Sequence, residues 1–265
     1  MSLKTLIGVS ATNAASNEDI LNKAYDDIIH PTAQNVGQAL ETLSSTLNVL
    51  LAPISWAVYG FEQIDTVVKE KLKDKLSNTP VEELKEPEPN IVIPAYEALR
   101  YSLDKEQLKE MYINLIACSM QNSTSDRVHP AFVEVVKQLS IFDSELLKKI
   151  FGNSTTTIPK LKIRLQKGID DYAGFDSHTI VISPKYYDAK LLEEYTLSLE
   201  NLERLKIINI EHDNELLEPN IYDDLIRIIN IESLSKAYPD KPYVNIIKGY
   251  ISLTKFGQEF VKSIF

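Results

Sequence analysis

The sequence predicts a mainly α chain, with an N-terminal multi-helix domain followed by a smaller α+β domain. Three observations predict it. Apolar residues recur at three- and four-residue steps through positions 17–152. The texture changes at the Ser/Thr run NSTTT, residues 153–157. Short β-branched runs then alternate with helical patterns to the C-terminus. The expected division is a flexible N-terminus over 1–16, a helical domain over 17–152 and an α+β domain over 153–265.

In the helical part, residues 1–16 are small and polar, and Ser16 or Asn17 caps a helix carrying Ile20, Tyr25, Ile28 and Ile29 that stops near Pro31. A stripe of Val36, Leu40, Leu43, Leu47, Leu50, Ile54, Ala57, Phe61, Ile64 and Val68 follows, in alternating steps of four and three. That repeat is a helix seam, which has to be buried against a partner surface. Pro53 removes an amide donor and crowds the turn before it, so the seam is expected to kink there. Trp56 lies in the apolar run NVLLAPISWAVYGF at 48–61, which is shorter than the roughly twenty residues a single membrane-spanning helix needs. Core or oligomer packing is the favoured reading of the run, over membrane insertion.

Thr79-Pro80-Val81-Glu82 matches a capping box ahead of the loop EPEPN at 86–90. Asp104 with Gln107 reads as the next cap, and places Leu108, Met111, Leu115 and Cys118 on one helical face. After the polar loop QNSTSDR, a helix from Ala131 carries Phe132, Val135, Val136 and Leu139, and Asp143 is expected to cap its successor. His129 and Pro130 precede that helix, the histidine as a cap or bridge and the proline in the first turn.

Beyond residue 153, strand signals sit at Thr179–Ile182, Ile207–Glu211 and Tyr250–Leu253, with a helix carrying Leu191, Leu197, Leu199, Leu202 and Leu205 and a last helix from Thr254. The phrases LSLENLERLKIINI and YISLTKFGQEF resemble the recognition helix and wing of a winged-helix domain, with a longer excursion between Glu211 and Tyr250 than an ordinary wing has. Charge argues against reading DNA with it. Asp188, Glu193, Glu194, Glu200 and Glu203 outnumber Lys190, Arg204 and Lys206, and such a helix repels phosphate.

Composition bounds the rest. The 265 residues are 44% apolar and 25% charged, which is ample for a packed core. The 28 basic and 38 acidic side chains leave a net charge of -10, unfavourable for nucleic acid or an anionic membrane. Cys118, the one cysteine, excludes an intramolecular disulfide, and the N-terminal residues lack the long apolar core of a signal peptide. The expected compartment is the cytoplasm, with membrane association on activation as the further expectation.

No catalytic constellation emerges, so the expectation is a non-enzyme without cofactor or metal. His30, His129, His178 and His212 are scattered, with no metal-ligand spacing among them. Asp170, Asp171, Asp176, Ser177 and His178 hold residue types of a nucleophilic site, but no strained turn presents the serine, and a polar loop is the favoured reading. Asp74 with Glu83 and Lys85 has the residue types of a metal-dependent nuclease, on a stretch that reads as helix and loop. With eight glycines, the chain has no phosphate-cradling glycine motif.

One set of phrases is distinctive. Pro94-Ala95-Tyr96-Glu97-Ala98-Leu99-Arg100-Tyr101, the segment Leu108 to Met120, Val128-His129-Pro130-Ala131-Phe132-Val133-Glu134 and Lys137-Gln138-Leu139-Ser140 resemble the abortive infection alpha family. Tyr25-Asp26-Asp27, Pro31, Val36-Gly37, Leu51-Ala52-Pro53, Trp56 to Phe61 and the ending Leu253-Thr254, Phe256-Gly257 and Phe260 are similar to it as well. The resemblance implies a bacterial or prophage-encoded role in stopping phage infection, and carries no catalytic residues over. The expected partners are a second copy of the chain or a phage or host protein, with the membrane as a further target and nucleic acid disfavoured. Assembly or membrane contact is expected at Val36, Leu40, Leu43, Leu47, Leu50, Ile54, Trp56 and Phe61, while His129, Pro130, Phe132 and Gly257 are structural. The alternative function is a winged-helix DNA-binding regulator.

Overall fold

The computed structural model describes residues 45, 48, 49, 61–86, 88–171, 174–186, 191–212 and 214–265. The chain divides into two compact units, Met1–Lys137 with Ile264, and Gln138–Ser263 with Phe265. The change of texture at 153 therefore lies inside the second unit, which also holds the last helix of the expected helical domain.

The first unit is helical among the described residues. Its helices are α1 (Phe61–Leu76), α2 (Pro89–Leu99), α3 (Glu106–Ser119) and α4 (Ala131–Lys137). Ile64, Val68, Leu72 and Leu76 recur every fourth residue of α1 and are all buried, so the described end of the apolar stripe is filled by the core of its own unit. The central helix is α3, which packs against α1, α2 and α4 through a core that includes Met111, Tyr112, Leu115 and Ile116. Cys118, expected on the same face, sits half-buried at its margin, and burial pushes its thiol pKa up. Tyr96 is buried with its hydroxyl 3.4 Å from Asp65 Oδ1, and burial pushes its pKa up first, the carboxylate second.

Two expected caps take other forms. Thr79 is buried with Oγ1 3.4 Å from Gln121 Oε1, and Pro80 caps a single 3-10 turn, Val81–Glu83, without a side-chain bond. Backbone bonds close that turn on the end of α3, Lys85 N–H donating to Met120 O at 2.9 Å and Asn122 N–H to Glu83 O at 2.8 Å. At the start of α3 the capping position belongs to Lys105, not Asp104, and no side chain caps it.

Lysines of α1 tie that helix to α3. Lys71 Nζ bridges Glu106, at 2.9 Å, and Glu110, while Lys75 Nζ lies 3.0 Å from Glu110. Burial pushes the Glu110 carboxyl up, but hydrogen bonds from Lys71 and Lys75 outweigh it and hold the pKa below its ordinary value. A depressed carboxylate stabilises the fold above its unfolded pKa and loses that contribution as pH falls through the folded one. The expected result is that Glu110→Gln lowers urea stability by about 1 kcal/mol or less at about pH 7, with the gap to the native chain closing below about pH 4. A gap that is constant across that window would show that the bridge does not titrate.

The second unit holds α5 (Ile141–Phe151), β1 (Thr157–Gln166), β2 (Phe175–Val181), α6 (Leu192–Arg204), β3 (Ile208–Glu211), α7 (Asp223–Arg227), α8 (Ile231–Ala237), β4 (Tyr243–Leu253) and α9 (Lys255–Ile264). Ser140 caps α5, and Asp143, expected in that place, is the reciprocal member of the capping box three residues on. The strands form one antiparallel sheet in the order β2-β1-β4-β3. Ten residues of β1 pair with β4, from Thr157↔Ser252 to Gln166↔Tyr243.

Alternation gives the sheet two different faces. Leu161, Ile163 and Leu165 of β1, with Val181, Tyr222 and Leu225, form a core cluster on one face, against which Val244, Ile246 and the α7–α8 excursion pack. The Tyr222 hydroxyl donates to Gly249 O at 2.9 Å and accepts from Leu216 N–H at 2.8 Å, pinning the excursion to β4. The other face is covered at one end by α6, which packs against both edge strands, β2 and β3. Tyr195, Leu199 and Leu202 of α6 are buried, whereas Leu197 is 67% exposed and does not belong to the core stripe.

After α6 the chain reverses through Lys206 at φ 59°, with Ile207 N–H donating to Leu202 O and Lys206 N–H to Glu203 O. This is the Schellman pattern with lysine in the left-handed position, where a side chain costs about 1 kcal/mol. The architecture is thus α-rich, with an antiparallel sheet in the C-terminal part that is larger than the three short strand signals indicate.

Candidate functional site

Val36, Leu40, Leu43, Leu47, Leu50, Ile54 and Trp56 lie outside the described residues, and Phe61 opens α1. His129, Pro130 and Phe132 stand at the entry to α4. His129 Nδ1 accepts the Ala131 N–H at 3.1 Å, and its ring lies 6.1 Å from that of the buried Phe132. That geometry caps the helix start. Gly257 sits in the first turn of α9, where its N–H donates to Thr254 Oγ1 at 2.8 Å and a Cβ would collide with the Ile207 carbonyl.

The residues with chemistry to offer converge elsewhere, on the sheet face that α6 covers only at one end. Along β1 the residues opposite in phase to the core cluster are Lys160, Lys162 and Arg164, which the register sets across from Gly249, Ile247 and Asn245 of β4. Lys160 is 0% exposed. Its stem runs over Gly249, where a Cβ would lie 2.6 Å from Lys160 Cε and collide with the Glu211 carbonyl as well. Only glycine leaves that channel open. Lys160 Nζ reaches His212 Nδ1 at 2.5 Å, just beyond the end of β3. An ammonium has no lone pair, so a charged Lys160 can only donate in this contact and the imidazole Nδ1 accepts.

One pleat further along, Lys162 Nζ lies 2.7 Å from Asp176 Oδ2 and Arg164 Nη1 lies 3.5 Å from Oδ1 of the same carboxylate. The hydrogen bond from Lys162 holds the Asp176 carboxyl below its usual range, so the group is ionised at neutral pH. Arg164 Nη2 also faces the Gly174 carbonyl at 3.4 Å. Gln166 ends the row, its Nε2 donating to the Asp171 carbonyl. The register of β1 against β2 shifts between Lys162 and Arg164, and this irregularity splays the polar end of the face. Two cationic groups, the Lys160–His212 pair, a carboxylate and a primary amide thus share one side of one sheet. The arrangement suits recognition of a charged polar group.

The sequence cluster Asp170, Asp171, Asp176, Ser177 and His178 divides between roles. Asp176 joins the polar face, whereas Asp171 closes the β1–β2 connection by accepting the Lys167 N–H at 2.8 Å. Ser177 and His178 lie in β2, with side chains outside the described set. Asp74 lies on α1, Glu83 in the 3-10 turn, and Lys85 pairs with Glu88 at 2.9 Å, so no strands present these three together. Lys160, Lys162 and Arg164 were not singled out from the sequence, and His212 was weighed only as a metal ligand. The run KLKIRL at 160–165 carried the signal, with cations and aliphatics in strict alternation.

Among the described residues no group of three or more His, Cys, Asp or Glu is placed to hold a metal ion. Among those residues, too, no helix is long and apolar enough to cross a membrane. A family model described as abortive infection alpha matches residues 60–264. No curated protein matches the chain. A solved structure of an uncharacterised protein from the hydrocarbon-degrading marine bacterium Alcanivorax borkumensis SK2 is similar at 9% identity and a TM-score of 0.34, over 52% of this chain and 94% of that one.

Proposed function

The chain belongs to the abortive infection alpha family, and from that premise we propose that it is a non-enzymatic phage-defence protein that acts by protein–protein assembly. The family match is the observation that carries this reading. Assembly is supported by the heptad stripe. Its described end, Ile64 and Val68, is occupied within the first unit, so the assembly surface is assigned to Val36–Ile54. The partner is a second copy or a phage or host protein. In the activated state, the apolar run at 48–61 is turned toward the membrane of the infected cell from a cytoplasmic starting point.

We read α6 with β3 and β4, which pair beyond the α7–α8 excursion, as a winged-helix-like protein-contact element. Glu193, Glu194 and Glu200 stand on the exposed side of α6, which disfavours the DNA-binding alternative by repelling phosphate.

A phage plating assay tests the proposal, comparing cells with the native chain, with Leu47→Asp and with none. The native chain is expected to lower plating efficiency and to run as an oligomer when purified. Leu47→Asp is expected to restore plating and shift the purified species to monomer. Dye release from liposomes by the native oligomer reads the membrane step. Full protection by monomeric Leu47→Asp would sink the assembly mechanism.

A further inference from the structure

We infer that the polar end of the β1 face is a binding site for a phosphorylated small molecule of nucleotide size. Its phosphate sits at Lys162 and Arg164, and its N–H or O–H donors are taken by Asp176 and Gln166. The inference goes beyond the defence reading and stands on different residues.

The cationic half follows from strand geometry. Lys162 and Arg164 project from the same face two residues apart, and both lean on Asp176, at 2.7 Å and 3.5 Å. Their side chains are 23% and 30% exposed, so both cations are held by their neighbours and still reach solvent. A phosphate carries two negative charges and several acceptor oxygens, and a lysine with an adjacent guanidinium supplies the matching donors. In a chain of net charge -10, such a pairing of cations concentrates attraction for anions locally.

The other half follows from acceptors that lack donors. Gln166 is 5% exposed, and its Oε1 is buried without a hydrogen-bond donor. Asp176 Oδ1 is buried in the same condition, with only the long ion-pair contact to Arg164. Buried acceptors left this way are costly, and a ligand bearing N–H or O–H groups removes that cost. Bare phosphate offers little there, so the ligand joins a phosphate to a donor-bearing body.

Length and charge choose among such ligands. Gln166 lies four positions beyond Lys162, about 13 Å along a strand, the span of a nucleoside monophosphate. A nucleic-acid polymer fits poorly, because its further phosphates would meet a chain of net charge -10.

Calorimetric titration of the purified full chain at low salt tests this with adenosine and guanosine monophosphates, the matching nucleosides, inorganic phosphate and a single-stranded oligonucleotide. At least one monophosphate is expected to bind, with its nucleoside and inorganic phosphate each weaker by about tenfold or more, the worth of one charge-assisted hydrogen bond. Lys162→Gln is expected to weaken the monophosphate about tenfold, and Gln166→Leu to weaken it while leaving inorganic phosphate unchanged. If Gln166→Leu fails to fold, Lys162→Gln, at a partly exposed position, and the salt dependence of the native chain still decide. No binding of either monophosphate at about 10 mM overturns the inference, as does equal binding by Lys162→Gln or tighter binding of the oligonucleotide. None of these outcomes depends on plating, so failure here leaves the defence reading intact.

Discussion

Gly257→Ala is expected to lower the stability of the second unit by about 2–3 kcal/mol, a drop in melting temperature of about 5–10 °C. An alanine inside a helix ordinarily gains about 1 kcal/mol over glycine. Here the sign reverses for lack of space, since a Cβ at Gly257 would collide with the Ile207 carbonyl. That carbonyl cannot retreat freely. It accepts the Thr254 N–H at 3.0 Å, while Thr254 Oγ1 donates to Lys206 O at 2.5 Å and also accepts the Gly257 N–H. The turn leaving α6, the start of β3 and the first turn of α9 are thus laced together, and relieving the clash has to break one of those bonds. Thermal unfolding followed by circular dichroism checks the prediction, and a variant as stable as the native chain would refute the spatial argument.

The helical elements were legible because their signals are local. The phrase from Leu108 to Cys118 places three apolar residues on one face, and α3 buries Leu108, Met111 and Leu115. The caps were misplaced by one to three residues, since Ser140, Asp143, Asp104 and Lys105 stand close enough in sequence for several to serve. Only the tertiary partners of each settle which does. Asp143 is drawn inward by α6, which leaves the capping position to Ser140.

The strand β1 was illegible for a different reason. Pro159 interrupts the pattern just ahead of the alternation from Lys160 to Leu165, and a proline and a buried lysine both argue against a central strand. The lysine is tolerated by an arrangement that the sequence does not display. Lys160 finds His212, fifty-two residues away, and Gly249 clears its path from the neighbouring strand. The candidate site is written in residues whose partners are distant, so their spacing along the chain says little. Asp176 was noticed in a cluster with the residue types of a nucleophilic site, when its significance lies in the two cations of β1 that face it.

The second large effect is expected at Asp143. Asp143→Ala should cost about 3 kcal/mol, and Asp143→Asn roughly half of that, read from urea midpoints. The side chain is buried and accepts three hydrogen bonds, from Ser140 N–H at 2.7 Å, Ser198 Oγ at 2.5 Å and Asn201 Nδ2 at 3.0 Å. Two of those donors belong to α6 and one to the cap of α5, so a single carboxylate joins the helices. Alanine removes all three acceptor contacts and strands the Ser198 hydroxyl, itself buried, which adds the desolvation penalty to the lost cap. Asparagine keeps the size and one acceptor, and its amide opposes a donor at the other position. The network has no slack to absorb that, because Asn201 already donates to Gln138 O at 3.0 Å and accepts from Arg204 Nη2 at 2.8 Å. Equal losses for the two variants would mean that shape alone matters at this position. The expected order, alanine worse than asparagine and both worse than native, is the mark of an acceptor-dependent junction between α5 and α6.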